Sequence, residues 1–128
     1  MKIYNPATVH EPSAYSHAIE LPPGARVVYI SGQVGAAPDG SFAADFSAQA
    51  EQALKNLGAV LAAAGMGVTD LVKVNSYLVR RQDLDAYRAI RSRFYGGHRP
   101  ASTLLLISGL AREGGLIEIE AVAAKAQG

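Results

Sequence analysis

The sequence predicts an α+β domain in which two helices lie on one face of a mixed β-sheet. Three observations lead there. The chain has 128 residues, a size typical of one domain, here taken to span residues 1–128. Two segments place apolar residues at helical spacing, while five others are short and either alternate or are rich in β-branched and aromatic side chains. The Pro and Gly clusters between them are short enough to be turns, and no repeat or low-complexity tract intervenes.

Taken in order, Tyr15 to Leu21 begins with alternation and stops at Pro22-Pro23-Gly24, where proline removes a ladder donor; this is a strand and a turn. Val27-Val28-Tyr29-Ile30 reads as a second strand with both faces covered, halted by Ser31-Gly32 and followed by a Gly-rich loop through Gly40. From Asp45 to Ala64, Phe46, Ala50, Ala53, Leu54, Leu57, Leu61 and Ala64 form one apolar stripe, so a helix is expected. Asp45 or Ser47 can cap its start and Gly65 can close it. Leu71 to Val79 has the composition of a central strand. A second helix runs from Asp83 to Tyr95 with Leu84, Tyr87, Ile90 and Phe94 as its buried stripe, and Gly96-Gly97 ends it. Thr103 to Ile107 is apolar almost throughout. Leu116 to Ala124 alternates, with Ile117 and Ile119 on one face and Glu118 and Glu120 on the other. The order is ββ-α-β-α-ββ, with room for an added strand at Ile3-Tyr4, and the simplest path is a meander.

That order leaves a packing problem. Two helices cover one face of such a sheet, yet Val27 to Ile30 and Thr103 to Ile107 are apolar on both. Self-association with closed cyclic symmetry is the simplest cover, so a homo-oligomer is expected.

Composition narrows the chemistry. Hydrophobic residues make up 49% and charged residues 18%, too apolar for disorder, and no apolar run is long enough to span a bilayer. With no cysteine, disulfides, thiolate nucleophiles and cysteine metal sites are excluded. His10, His17 and His98 are scattered without a paired spacing, so no metal site is readable; His17 is a pocket candidate or a hydrogen-bonded structural histidine. Neither the P-loop nor the dinucleotide glycine pattern occurs, and no cofactor is expected. A net charge of +1 falls short of a nucleic-acid binder, which makes a small molecule the expected ligand. The stretch from Met1 to Pro6 lacks an export pattern, which favours the cytoplasm.

Two constellations carry possible chemistry. Arg88 and Arg91 are one turn apart on a helix, where they either fork a carboxylate or phosphate or form a solvated, ion-paired face. Glu118 and Glu120 point the same way from a central strand, as a general acid or base facing covered space or as salt-bridge partners of Lys73.

At this level of detail the chain resembles the Rid (YjgF) family of reactive-intermediate deaminases, older members of which were called L-PSP endoribonucleases. The resemblance rests on Tyr15-Ser16-His17-Ala18-Ile19, Ile30-Ser31-Gly32-Gln33-Val34, Gln52-Ala53-Leu54-Lys55-Asn56-Leu57, Asp70-Leu71-Val72-Lys73-Val74, Arg99-Pro100-Ala101 and Ile117-Glu118-Ile119-Glu120-Ala121, in that order. It implies a chorismate-mutase-like fold assembled as a homotrimer, with ligand clefts between subunits. It also implies cofactor-independent hydrolysis of enamines or imines to 2-oxo acids and ammonia. By the resemblance Glu118 activates water and Tyr15 and Ser31 line the pocket; in the deaminase reading Ser31, Gly32, Ser102, Thr103 and backbone groups orient the substrate. The family's carboxylate-clamping arginine follows the Pro-Ala dipeptide; here Ser102 stands there, without charge or fork. Losing such a contact costs roughly 2–4 kcal/mol of substrate binding, which points to a replacement cation, Arg88 or Arg91. Three readings follow: an imine deaminase, a non-catalytic metabolite-binding trimer, and, weakest for want of a histidine pair, an endoribonuclease.

Overall fold

The first helix forms where its sequence calls for it. Asp45 caps it, its Oδ2 accepting the Ala48 N–H at 3.2 Å, and Gly65 takes φ +70° just beyond its end. In the computed structural model, which describes residues 1–127, this helix is α1, Phe46–Ala63. The other elements are β1 (Lys2–Tyr4), β2 (Ala18–Glu20), β3 (Arg26–Val34), β4 (Leu71–Leu78), α2 (Leu84–Tyr95), β5 (Ala101–Leu106) and β6 (Ile117–Lys125). The fold is α+β, and the added N-terminal strand is present as β1.

The chain is not a meander. β3, β6, β4 and β5 form one sheet in that order, while β1 and β2 pair separately. β4 and β5 run parallel, which requires a crossover, and α2 is that crossover. β6 then inserts antiparallel between β3 and β4, so the last strand becomes central. The strand expected over Tyr15 to Leu21 shrinks to Ala18–Glu20, the length its partner β1 can pair. Ser16 instead makes an isolated parallel bridge to Ala101, its Oγ donating to the Arg99 carbonyl at 2.6 Å. β3 runs past the expected stop at Ser31-Gly32, through a bulge and on to Val34.

The core lies between the helices and one face of the sheet, where Leu57, Leu71, Val74, Leu78, Ile117 and Ile119 are fully buried. Each such aliphatic side chain contributes about 1.5–3 kcal/mol by leaving water. The buried stripe of α2 is Tyr87, Ile90 and Tyr95; Phe94 and Leu84 are half-buried, Phe94 lying at the margin beside Gly58 of α1. Tyr87 reaches the sheet, its hydroxyl 2.5 Å from Ser76 Oγ.

The opposite face is open within the chain. Tyr29 is 82% exposed, Val27 is exposed on the same edge strand, and Leu105 is exposed on β5 at the other edge. Among the described residues no helix is long and apolar enough to cross a membrane.

Candidate functional site

The site is built on the open face around the bulge in β3. Ile30 pairs Ala121 and Gln33 pairs Ile119, so Ser31 and Gly32 together occupy the single place opposite Glu120. The extra residue frees backbone groups from the ladder; Gln33 Nε2 donates to the Ser31 carbonyl at 3.1 Å. The carboxylate of Glu118 lies over Gly32. A Cβ at that glycine would stand 1.9 Å from Glu118 Oε2, so only a residue without a side chain allows the arrangement.

The two carboxylates of β6 are in different states. Glu120 accepts a hydrogen bond from the Tyr77 hydroxyl and another from Asn75 Nδ2 at 3.3 Å. The Tyr77 phenol is correspondingly pushed above its ordinary value, first by that bond to Glu120 and then by desolvation. Glu118 receives no side-chain hydrogen bond among the described residues. Glu120 is therefore tied to β4, while the Glu118 carboxylate is left without a side-chain partner among the described residues. The expected Lys73 salt bridge to this pair does not form; Lys73 Nζ donates to Thr103 Oγ1 at 2.9 Å because those side chains share a face on adjacent parallel strands. Tyr29, Ser31, Lys73, Asn75 and Glu120 line a hollow of about 280 Å³ beside the bulge.

The supports of this face come from α1. Asn56 Nδ2 donates to the carbonyls of Val34 and Ala36 at 3.0 and 2.9 Å, and Gln52 Nε2 orients Asn56 at 2.8 Å. Gln49, 1% exposed, bonds Ala43, Gly114 and Leu116, tying the entry of α1 to the entry of β6.

Of the residues singled out in the sequence, Ser31, Gly32, Thr103 and Glu118 share the open face. The others do not. Ser102 pairs with Val74, which faces the helices, so Ser102 and Thr103 lie on opposite sides of β5. Tyr15 belongs to an N-terminal cluster in which its hydroxyl meets His10 Nε2 at 2.6 Å and its ring meets His17 edge-on at 5.5 Å. His17 Nε2 bonds the His10 carbonyl at 2.7 Å, the structural alternative. Arg88 and Arg91 sit on α2, on the helix side of the sheet, and cannot replace a clamp beside Glu118 within one chain. The cation on the Glu118 face is Lys73, which sequence reasoning considered only as a salt bridge. Tyr77 and Asn75 were missed, although the alternation of β4 puts them beside Lys73.

This frame of elements recurs in known proteins. A model of the family described as endoribonuclease L-PSP matches residues 7–125. The chain belongs to the Rid family. A 2-iminobutanoate/2-iminopropanoate deaminase of Rattus norvegicus is 36% identical over 112 residues, which cover 86% of this chain and 79% of that relative. The Rid-family protein YyfB of Yersinia pestis, described as of unknown function, superposes with a TM-score of 0.87 at 36% identity, covering 97% of this chain and 98% of its own. TdcF of E. coli, solved with bound serine, has a TM-score of 0.75 at 26% identity over 98% of this chain and 100% of its own. Rid relatives thus include proteins named as imine deaminases and one solved with a small amino acid.

Proposed function

We propose that this Rid protein hydrolyses 2-imino acids, or their enamine tautomers, to 2-oxo acids and ammonia at the Glu118 face. The observation that carries this reading is the uncommitted Glu118 carboxylate lying over the bulged Gly32, in a family whose members include named imine deaminases. Glu118 takes a proton from water as the water oxygen bonds to C2 of the imine, and the same proton passes to the imine nitrogen to give a carbinolamine. The C–N bond then breaks. The hydroxyl proton passes through Glu118 to the amine nitrogen, ammonia leaves with the bonding electron pair, and the C2 carbonyl forms. Ser31 and the bulge backbone orient the substrate, and the cation of this face, in place of the arginines expected from the sequence, is Lys73, which lines the adjoining hollow with Ser31 and Glu120. No step in this scheme requires a cofactor.

The exposed Tyr29, Val27 and Leu105 support a closed homotrimer in which the open faces cover one another and enclose the site. The test is ammonia release from freshly generated 2-iminopropanoate. Glu118→Gln is expected to lower kcat by about 10²–10⁴, the range of general acid–base catalysis, with KM little changed. Parent-like turnover by Glu118→Gln overturns the assignment. A second reading, ligand binding without turnover, is favoured by Ser102, whose hydroxyl supplies no charge for a carboxylate. Saturable binding of a 2-oxo acid with no ammonia release would select it.

A further inference from the structure

A second hollow, also of about 280 Å³, lies on the helix side of the sheet against α2. Its walls include Arg88, Arg91 and Arg99, with His98 and Tyr95, and no carboxylate. Among the described residues neither Arg91 nor Arg99 is ion-paired. Arg88 has only Asp85, 3.7 Å away and fully open to water. Two of the three cations are held in place before anything binds. The Arg91 guanidinium lies over the rings of Tyr87 and Tyr95 at 5.3 and 6.0 Å, and Arg99 Nη2 donates to the Pro12 carbonyl. Gathering three like charges around one hollow is unfavourable unless a counter-charge enters it.

An independent observation points the same way. Tyr95 is 6% exposed, and its hydroxyl is buried without a hydrogen-bond partner. Burial also raises its pKa, so the hydroxyl remains a donor at neutral pH. Among the described residues the fold thus presents one unmet donor and three guanidinium groups around a hollow that no carboxylate lines.

We propose that this cleft binds a small oxyanion, a carboxylate or phosphate group forked by Arg88 and Arg91, with Arg99 and the Tyr95 hydroxyl completing its shell. The site lies across the sheet from Glu118 and does not depend on imine hydrolysis there.

The experiment titrates inorganic phosphate and, separately, pyruvate into the intact protein at low ionic strength, with heat of binding as the readout. Saturable binding of either probe is expected, weakened about tenfold or more by Arg88→Met, a change on an exposed side chain that leaves the fold intact. Arg91→Lys keeps the charge and loses the fork, and is expected to weaken binding as well. Tyr95→Phe should weaken it several-fold with the melting temperature preserved, because the hydroxyl has no partner to lose. Arg93→Met removes the same charge from α2 outside the cleft and is expected to bind as the parent does. Phosphate binding alone assigns a phosphate-bearing ligand; pyruvate binding alone assigns a carboxylate. The proposal is overturned if neither probe saturates, if Arg88→Met leaves binding unchanged, as occupancy of the Glu118 face would, or if Arg93→Met weakens binding as much as Arg88→Met. Since ammonia release is not measured, failure here and failure of the hydrolase reading are told apart.

Discussion

Gly32→Ala separates the site from the fold. The added Cβ would stand 1.9 Å from Glu118 Oε2, 2.7 Å from Cδ and 3.0 Å from Cγ, whereas ordinary contact begins at 3.4 Å. The carboxylate must therefore retreat by about 1.5 Å. It ends a flexible side chain, so the retreat is cheap in stability, and Gly32 is not among the positive-φ glycines that alanine would strain. A displacement of about 1 Å can cost on the order of 10² in rate when a catalytic group must meet its substrate. Gly32→Ala is expected to lower kcat for 2-iminopropanoate by about 10²-fold while the melting temperature stays within about 3 °C of the parent. Ammonia release and thermal unfolding on the same preparation check both halves. Parent-like turnover, or a stability loss as large as that of a core truncation, would refute the placement of Glu118 over this glycine.

Gln49→Ala removes three hydrogen bonds that join the entries of α1 and β6. At about 1 kcal/mol each this costs about 3 kcal/mol, or about 10 °C in melting temperature for a chain of this size. Tyr77, Tyr87 and Tyr95 all have phenols raised above the ordinary value of 10.0, Tyr77 mainly by Glu120 and the other two mainly by burial. The folded state therefore holds these protons more tightly. Their contribution is fully present below pH 10 and is lost as pH rises through the folded values, so unfolding at graded alkaline pH should show stability falling above that point, less steeply in Tyr77→Phe. Tyr29→Glu puts a charge on the exposed open face and should shift sedimentation at micromolar protein from an assembly to a lone protomer.

The helices and the central pattern of β6 were legible because their periodicities are dictated by burial: Ile117 and Ile119 are fully buried, and Glu118 and Glu120 are not. Strand order was not, since nothing local to Ile117–Lys125 says that it slips between β3 and β4. Of the site, Glu118 and the Ser31-Gly32 pair could be read through motif resemblance, but the bulge that brings them together could not. The strand was expected to end there because a one-residue irregularity looks in sequence like a terminator. Ser102 and Thr103 share one expected role in orienting substrate, although neighbours in a strand face opposite ways. Arg88 and Arg91 do share one wall, but it is the wall of a different hollow.

The supernumerary residue at Ser31-Gly32 is one the architecture could do without. Ile30 and Gln33 face the interior on either side of it, so a chain one amino acid shorter here would zip up against Ile119 and Ala121 with every buried residue still inward. Nothing about pairing or interior filling retains that insertion. What a straightened strand would forfeit is the bare backbone shelf on which the Glu118 carboxylate rests, so a deletion there is expected to leave an intact scaffold that no longer supports the proposed hydrolysis.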